Sequence, residues 1–257
     1  MDRLIFTSNA TINQMANARQ VLVNELANAS TTGFKSSYDV ALKSIKADGA
    51  NSGFDTRIQA QAVSRDIIRL KPGAVMATGR PLDIAMADSA VLTVQAPNGE
   101  RAFTRRGDLR LNNQGTLVNG ARHLVLSADN NPITIPVGFK VRFGSDGNVF
   151  ATDPTQPGVP QEVPIAQLFL RDASEVRLER REDGLFKVLG QASGTDFATG
   201  QQPVGLTSQA LESSNVNPMA ALVRLIDQSR MFEQQVRMIK EAKSNDENAS
   251  SMIRLQT

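Results

Sequence analysis

The residues able to do chemistry are few. Cysteine is absent and His123 is the only histidine. That excludes disulfides, thiolate metal sites and a Cys nucleophile, and routes any catalytic triad through His123. His123 lies in Ala121-Arg122-His123-Leu124-Val125-Leu126, which reads as a strand just after a turn. No Gly-x-Ser-x-Gly elbow accompanies it, so a structural histidine is the reading. No Gly-x-x-x-x-Gly-Lys and no post-strand Gly-x-Gly-x-x-Gly occurs to cradle phosphate. Gly144-Ser145-Asp146-Gly147-Asn148 begins like a calcium loop but lacks its later acidic ligands, which leaves a β-turn. The densest basic pairs, Arg105-Arg106 and Arg180-Arg181, have no aromatic company and read as solvated surface. Twenty-eight Lys and Arg against 26 Asp and Glu leave a net charge of +2, no electrostatic footprint for nucleic acid. No cofactor, no metal and no small-molecule substrate is expected, and the chain is not read as an enzyme. A binding module would want an aromatic platform, and a chain without Trp and with one Tyr offers little for one.

The elements that carry these residues follow from the helix breakers. Of 29 glycines and prolines, 25 lie between Pro72 and Gly205, and none lies between Met1 and Thr32. The ends can therefore be long helices and the middle cannot. At the N-terminus, Ile5, Ile12, Arg19 and Leu26 form one heptad row, and Ser8, Met15, Leu22 and Ala29 form its companion. Gly33 is placed to end that helix. At the C-terminus, Asn217 can cap and Pro218 suits the first helical position. Leu222, Leu225, Ile226, Phe232, Val236, Ile239 and Ile253 follow on what reads as mostly one stripe, interrupted by Ser229, Lys243 and Asp246. A helix from Pro218 to Leu255 would span about 57 Å.

The middle reads as all-β. Asn98-Gly99, Asn119-Gly120, Asp146-Gly147 and Asp183-Gly184 are hairpin turns between short strand-like runs. Those runs include Val91–Gln95, Ile133–Ile135, Phe139–Phe143 and Leu185–Val188, with Leu109 and Leu111 alternating about Arg110. Asp153–Pro160 is a loop, and residues 35–70 form an ambiguous, largely extended connection. The start lacks a continuous apolar stretch, so no cleaved secretory signal is expected.

Three stretches, in order, carry a resemblance to a known family. Leu26-Ala27-Asn28-Ala29-Ser30-Thr31-Thr32-Gly33-Phe34-Lys35 is similar to an N-terminal rod signature. Ala102-Phe103-Thr104-Arg105-Arg106-Gly107-Asp108-Leu109, continuing to Gly115-Thr116-Leu117-Val118, is similar to a β-domain motif. Leu211-Glu212-Ser213-Ser214-Asn215-Val216-Asn217-Pro218 is similar to the entry of a C-terminal helix. Together they resemble the flagellar rod and hook family of bacterial axial proteins. Met1-Asp2, Ile5-Phe6-Thr7, Arg80–Ala85 and Asp183–Phe186, with only 45 residues between Phe34 and Arg80, resemble its proximal-rod branch more than its distal-rod or hook branches.

The resemblance implies a fold and a role. The fold is a mainly β central domain (D1-like) with N- and C-terminal α-helices pairing as a coiled coil (D0-like), α+β overall. The expected division is residues 1–34 helix, 35–75 linker, 76–210 β domain and 211–257 helix. The role is a structural subunit of the basal-body rod that crosses the periplasm and transmits torque. Its partners are copies of itself, neighbouring rod proteins and the type III export apparatus. The subunit interface is expected at Ile5, Ile12, Met15, Leu22, Leu26, Asn28, Phe34, Leu222, Leu225, Phe232, Val236, Ile239 and Ile253.

Overall fold

The computed structural model describes residues 2–38, 43–46, 58–61, 66–154 and 161–254. Residues 39–42, 47–57 and 62–65 of the expected linker and residues 155–160 of the expected loop lie outside them. The chain divides into two compact units. One holds Met1–Leu26, Asp39–Arg65 and Asn217–Thr257; the other holds Ala27–Tyr38 and Asp66–Val216.

The second unit is built from local hairpins. Ala90–Gln95 pairs antiparallel with Arg101–Thr104 across Asn98-Gly99. Leu117–Asn119 pairs with Leu124–Val125 across Asn119-Gly120, Lys140–Phe143 with Asn148–Thr152 across Asp146-Gly147, and Leu178–Arg180 with Phe186–Val188 across Asp183-Gly184. Each dipeptide supplies the turn that reverses the chain. Ten strands join into one curled sheet. Its order runs Ser37–Tyr38, Ile67–Ile68, Leu178–Arg180, Phe186–Val188, Arg101–Thr104, Ala90–Gln95, Leu124–Val125, Leu117–Asn119, Leu109–Leu111, and Leu170–Asp172 pairs with Ala90–Gln95 off this path. Lys140–Phe143, Asn148–Thr152 and Glu162–Gln167 form a separate three-stranded sheet. Ile133–Ile135, expected as a strand, contributes only an isolated bridge through Thr134 to Thr116, with Ile133 and Ile135 buried.

Both faces of the central strands are covered. Leu92, Val94 and Ala102 pack into one apolar cluster with Leu117, Phe143 and Val149. Their neighbours Val91 and Phe103 turn to a second cluster with Ile68, Leu178, Phe186 and Phe197. Phe103 and Phe197 meet edge to face, with centroids 4.9 Å apart. This is why Ala90-Val91-Leu92-Thr93-Val94 reads as a continuous apolar run instead of an alternating one.

The helices are Asp2–Ala27 (α1) and Pro218–Arg254 (α2). Asn217 caps α2: its Oδ1 accepts from Ala220 N at 3.1 Å, and its carbonyl accepts from Ala221 N at 3.0 Å. The expected fold class needs correction. The molecule is mainly β, with a curled half-barrel sheet, and its two helices form no coiled-coil pair. They are unequal, at 26 and 37 residues. The apolar side chains of α2 also do not keep to one seam. At about 100° per residue, Leu225, Phe232, Val236 and Ile239 share one face, Met219, Leu222, Val223 and Ile226 a second, and Met231 and Met238 a third. Leu222, Val223, Ile226, Met231, Phe232 and Met238 are all exposed. Gly33, expected to end α1, lies six residues beyond its last residue and has a different task.

Candidate functional site

The three stretches that carry the family resemblance, far apart in sequence, meet at one buried point of the second unit. Each contributes one charged side chain: Lys35, Arg105 and Glu212. Their side chains are 0%, 0% and 1% exposed. Glu212 is the centre. Its Oε1 accepts from Lys35 Nζ at 2.5 Å and from Gly73 N at 2.8 Å, and its Oε2 accepts from Arg105 Nε at 2.8 Å.

Arg105 is placed by the strand Arg101–Thr104, which ends beside it. Its guanidinium also donates through Nη1 to the carbonyls of Asp88 (2.5 Å) and Ala90 (2.8 Å), and through Nη2 to that of Met86 (2.8 Å). Four of its five N–H donors are thereby used. Asp88 reaches this geometry with a positive φ of 39°, uncommon for a residue with a side chain. Gln209 (φ 57°) takes a similar turn just before the strand Ala210–Glu212, and its carbonyl accepts from Thr78 N at 2.8 Å. Lys35 Nζ also donates to the Lys71 carbonyl at 3.1 Å.

The cluster holds two cations and one carboxylate, so it buries an excess positive charge, partly balanced by these carbonyl dipoles. Burial and the Arg105 charge push the Lys35 ammonium down to about 8 from its usual 10.5, against the pull of Glu212.

Two glycines allow the segments to come this close. A Cβ on Gly33, whose φ is +68°, would stand 2.2 Å from the Arg105 carbonyl oxygen. One on Gly73 would stand 2.1 Å from that of Ser213. Only a residue without a side chain fits either place.

The remaining bonds fasten residues 33–38, a strap that follows α1. Gly33 N donates to the Glu212 carbonyl at 2.7 Å, and Asn215 N donates to the Phe34 carbonyl at 3.3 Å. Asn215 Oδ1 accepts from Ser36 N at 2.6 Å, while its Nδ2 donates to the carbonyls of Arg69 (3.0 Å) and Lys71 (2.9 Å). Ser37 and Tyr38 pair with Ile68 and Ile67. Arg180 stacks over the Phe34 ring at 4.3 Å, donates to the Lys35 carbonyl and is ion-paired with Asp66 at 3.2 Å.

Of the sequence-predicted interface residues, Phe34 alone joins this junction with its side chain. Asn28 lies just before it, and its Oδ1 accepts from Thr31 Oγ1 at 3.1 Å. On α1, Leu22 is buried and Ile12, Met15 and Leu26 are half-buried; on α2, Leu225, Val236 and Ile239 are half-buried and Leu222 and Phe232 exposed. The side chains of Ile5 and Ile253 lie outside the described residues. Arg105 and Arg180 correct the reading of solvated surface: the first is fully buried and the second's side chain is 9% exposed. Sequence reasoning missed Lys35, Arg105, Glu212 and Asn215 as a set. The available signal was that Lys35 and Glu212 are the single charged residues of the first and third stretches, whereas the second holds Arg105, Arg106 and Asp108.

His123 is a buried framework residue. Asn119 Oδ1 accepts from His123 N at 2.9 Å and from Ala121 N at 3.0 Å, organising the hairpin turn. Burial holds the imidazole below its usual range. Gly144–Asn148 is a β-turn, with Gly147 N donating to the Gly144 carbonyl at 3.1 Å. Among the described residues, no three His, Cys, Asp or Glu side chains are grouped to hold a metal ion, and no helix is long and apolar enough to cross a membrane.

The chain is similar in sequence to known proteins along nearly its whole length. Over 256 residues the chain is 31% identical to the flagellar basal-body rod protein FlgF of Salmonella typhimurium, covering 98% of this chain and 99% of that one. The chain belongs to the flagellar rod and hook family. It is 29% identical over 255 residues to the Escherichia coli FlgF, again with 98% and 99% coverage. The flagellar basal-body rod protein FlgG of Buchnera aphidicola subsp. Schizaphis graminum is 31% identical over 229 residues, covering 83% of this chain and 85% of that one. Residues 87–151 match the D1 domain of flagellar hook protein FlgE/F/G, and residues 207–252 match the C-terminal part of flagellar basal body rod FlgEFG proteins. The second match contains Glu212, Asn215 and most of α2. The chain is a structural protein of the flagellar basal body and not an enzyme.

Proposed function

We propose that the chain is built into the rod by contacts with copies of itself and with neighbouring rod proteins, and that load passes between its terminal segments and its sheet through the Glu212 junction. The observation that carries this reading is the convergence itself. The sheet-bearing unit takes up Ala27–Tyr38 and Asp66–Val216, and Glu212, near the end of the second stretch, bonds to Lys35 of the first and to Arg105 at once.

The helix side chains supply the surface for neighbours. The exposed apolar residues of α2 bury little within the chain, and such patches mark association sites. We assign the subunit contacts to the residues expected from the sequence, with Leu222 and Phe232 the most accessible. We also assign the division into helix (1–34), linker (35–75), β domain (76–210) and helix (211–257) to this working subunit, and its delivery to the type III export apparatus.

The test is Leu222→Asp and Phe232→Asp in a strain lacking the native gene. Both subunits are expected to fold and be exported, while rods fail to extend and motility is lost. Normal swimming in both would contradict the interface assignment.

A further inference from the structure

We propose that the junction is a latch closed by the C-terminal segment: the strap of residues 33–38 seats on the sheet only when Glu212 and Asn215 have docked. The latch stands on geometry within one chain and holds whether or not the assembly reading does.

Four bonds from the C-terminal segment hold the strap: Gly33 N to the Glu212 carbonyl, Asn215 N to the Phe34 carbonyl, Ser36 N to Asn215 Oδ1 and Lys35 Nζ to Glu212 Oε1. The rest of the sheet offers the pairing with Ile67 and Ile68, the Arg69 N bond to the Ser36 carbonyl at 2.8 Å, and Arg180. Those are bonds a strap could make alone. Charge forbids it. Without Glu212, seating the strap would bury the Lys35 ammonium beside the Arg105 guanidinium with no carboxylate between them. Two like charges out of water repel strongly and lose their hydration.

The consequence is an order of events. Lys35 and Glu212 are 177 residues apart, so a chain made or delivered from its N-terminus has its strap long before its latch. The strap and the root of α1 remain unfastened until the root of α2 arrives, and both become fixed in one step. A subunit with only one helix root fixed is avoided.

Hydrogen exchange read by mass spectrometry on the full chain tests this, comparing the native protein with Glu212→Gln, Lys35→Met and Asn215→Ala. Glu212→Gln is expected to raise exchange of residues 33–38 at least tenfold and to open them well ahead of residues 90–95 and 101–104, which stay paired and slow. Lys35→Met is expected to keep the strap protected, because Arg105 and Glu212 then balance. Asn215→Ala is expected to loosen the strap with the sheet intact. Native protection of 33–38 in Glu212→Gln would overturn the latch, as would opening in Lys35→Met equal to that in Glu212→Gln. If Glu212→Gln unfolds the whole chain, Asn215→Ala decides: strap-only opening supports the latch, and an unchanged strap overturns it.

Discussion

The apolar clusters and the charged junction lie in the same sheet-bearing unit and are built on opposite principles. The clusters gather neighbours. Leu92, Ala102 and Phe103 sit on one hairpin, and their burial is worth about 1.5–3 kcal/mol for each large side chain. The junction gathers strangers, with Lys35, Arg105 and Glu212 each from a different third of the chain. An apolar cluster degrades gradually when one member shrinks. A buried carboxylate between two cations has no graded failure, since its removal strands both partners. Stability is therefore distributed in the clusters and concentrated in Glu212.

The sharpest way to break this contrast is to substitute one residue in each region. Glu212→Gln is expected to lose about 3–5 kcal/mol, as breaking a buried ion pair does. Phe103→Ala, which deletes a fully buried ring, is expected to cost about the same. Urea unfolding reads both. The two should part in local exchange, with the strap opening in the first and the sheet in the second. A loss below about 1 kcal/mol for Glu212→Gln would place the junction at the level of exposed pairs.

A pH series sharpens it next. The folded Lys35 titrates at about 8 against 10.5 for the free side chain. The unfolded chain therefore binds the extra proton between those values, and stability rises as pH increases through that window. The gain is at most about 3 kcal/mol by linkage. It should vanish in Lys35→Met, measured as the difference between the two proteins' unfolding curves at pH 7.5 and 10. A native curve parallel to that of the variant would remove the excess-charge account.

Gly33→Ala probes the same junction without touching its charges. Its Cβ would meet the Arg105 carbonyl, and its backbone has positive φ. The positive φ alone costs on the order of 1–3 kcal/mol, and the strap is expected to shift away from Arg105 to relieve the clash, both read by thermal unfolding and strap exchange. The smallest effect belongs to Phe232→Asp. That residue is 42% exposed, so a change within about 0.5 kcal/mol is expected for the isolated subunit.

What the sequence made legible was local. Asn98-Gly99, Asp146-Gly147 and Asp183-Gly184 marked hairpins because a turn needs only its own residues. Asn217 and Pro218 marked the start of α2 for the same reason. The junction was legible only as a family resemblance, because nothing local distinguishes an arginine on the surface from Arg105, whose partner is 107 residues away. Gly33 looked like a helix end because its positive φ serves a cap and a close approach alike. The coiled-coil expectation failed on similar grounds. A seven-residue spacing in α1 says which residues share a face, and the apolar residues of α2 drift around three faces with no matching seam.

The central claim is that one carboxylate holds two buried cations. A double-mutant cycle tests it most directly, comparing urea unfolding at pH 7 of the native chain, Lys35→Met, Glu212→Gln and the double variant. If the claim holds, Lys35→Met is near neutral, and the double variant recovers at least about 1 kcal/mol of what Glu212→Gln loses, since only Arg105 is then left unpaired. Losses that simply add, within about 0.5 kcal/mol, would show that Lys35 and Glu212 do not act as one cluster and would contradict the account.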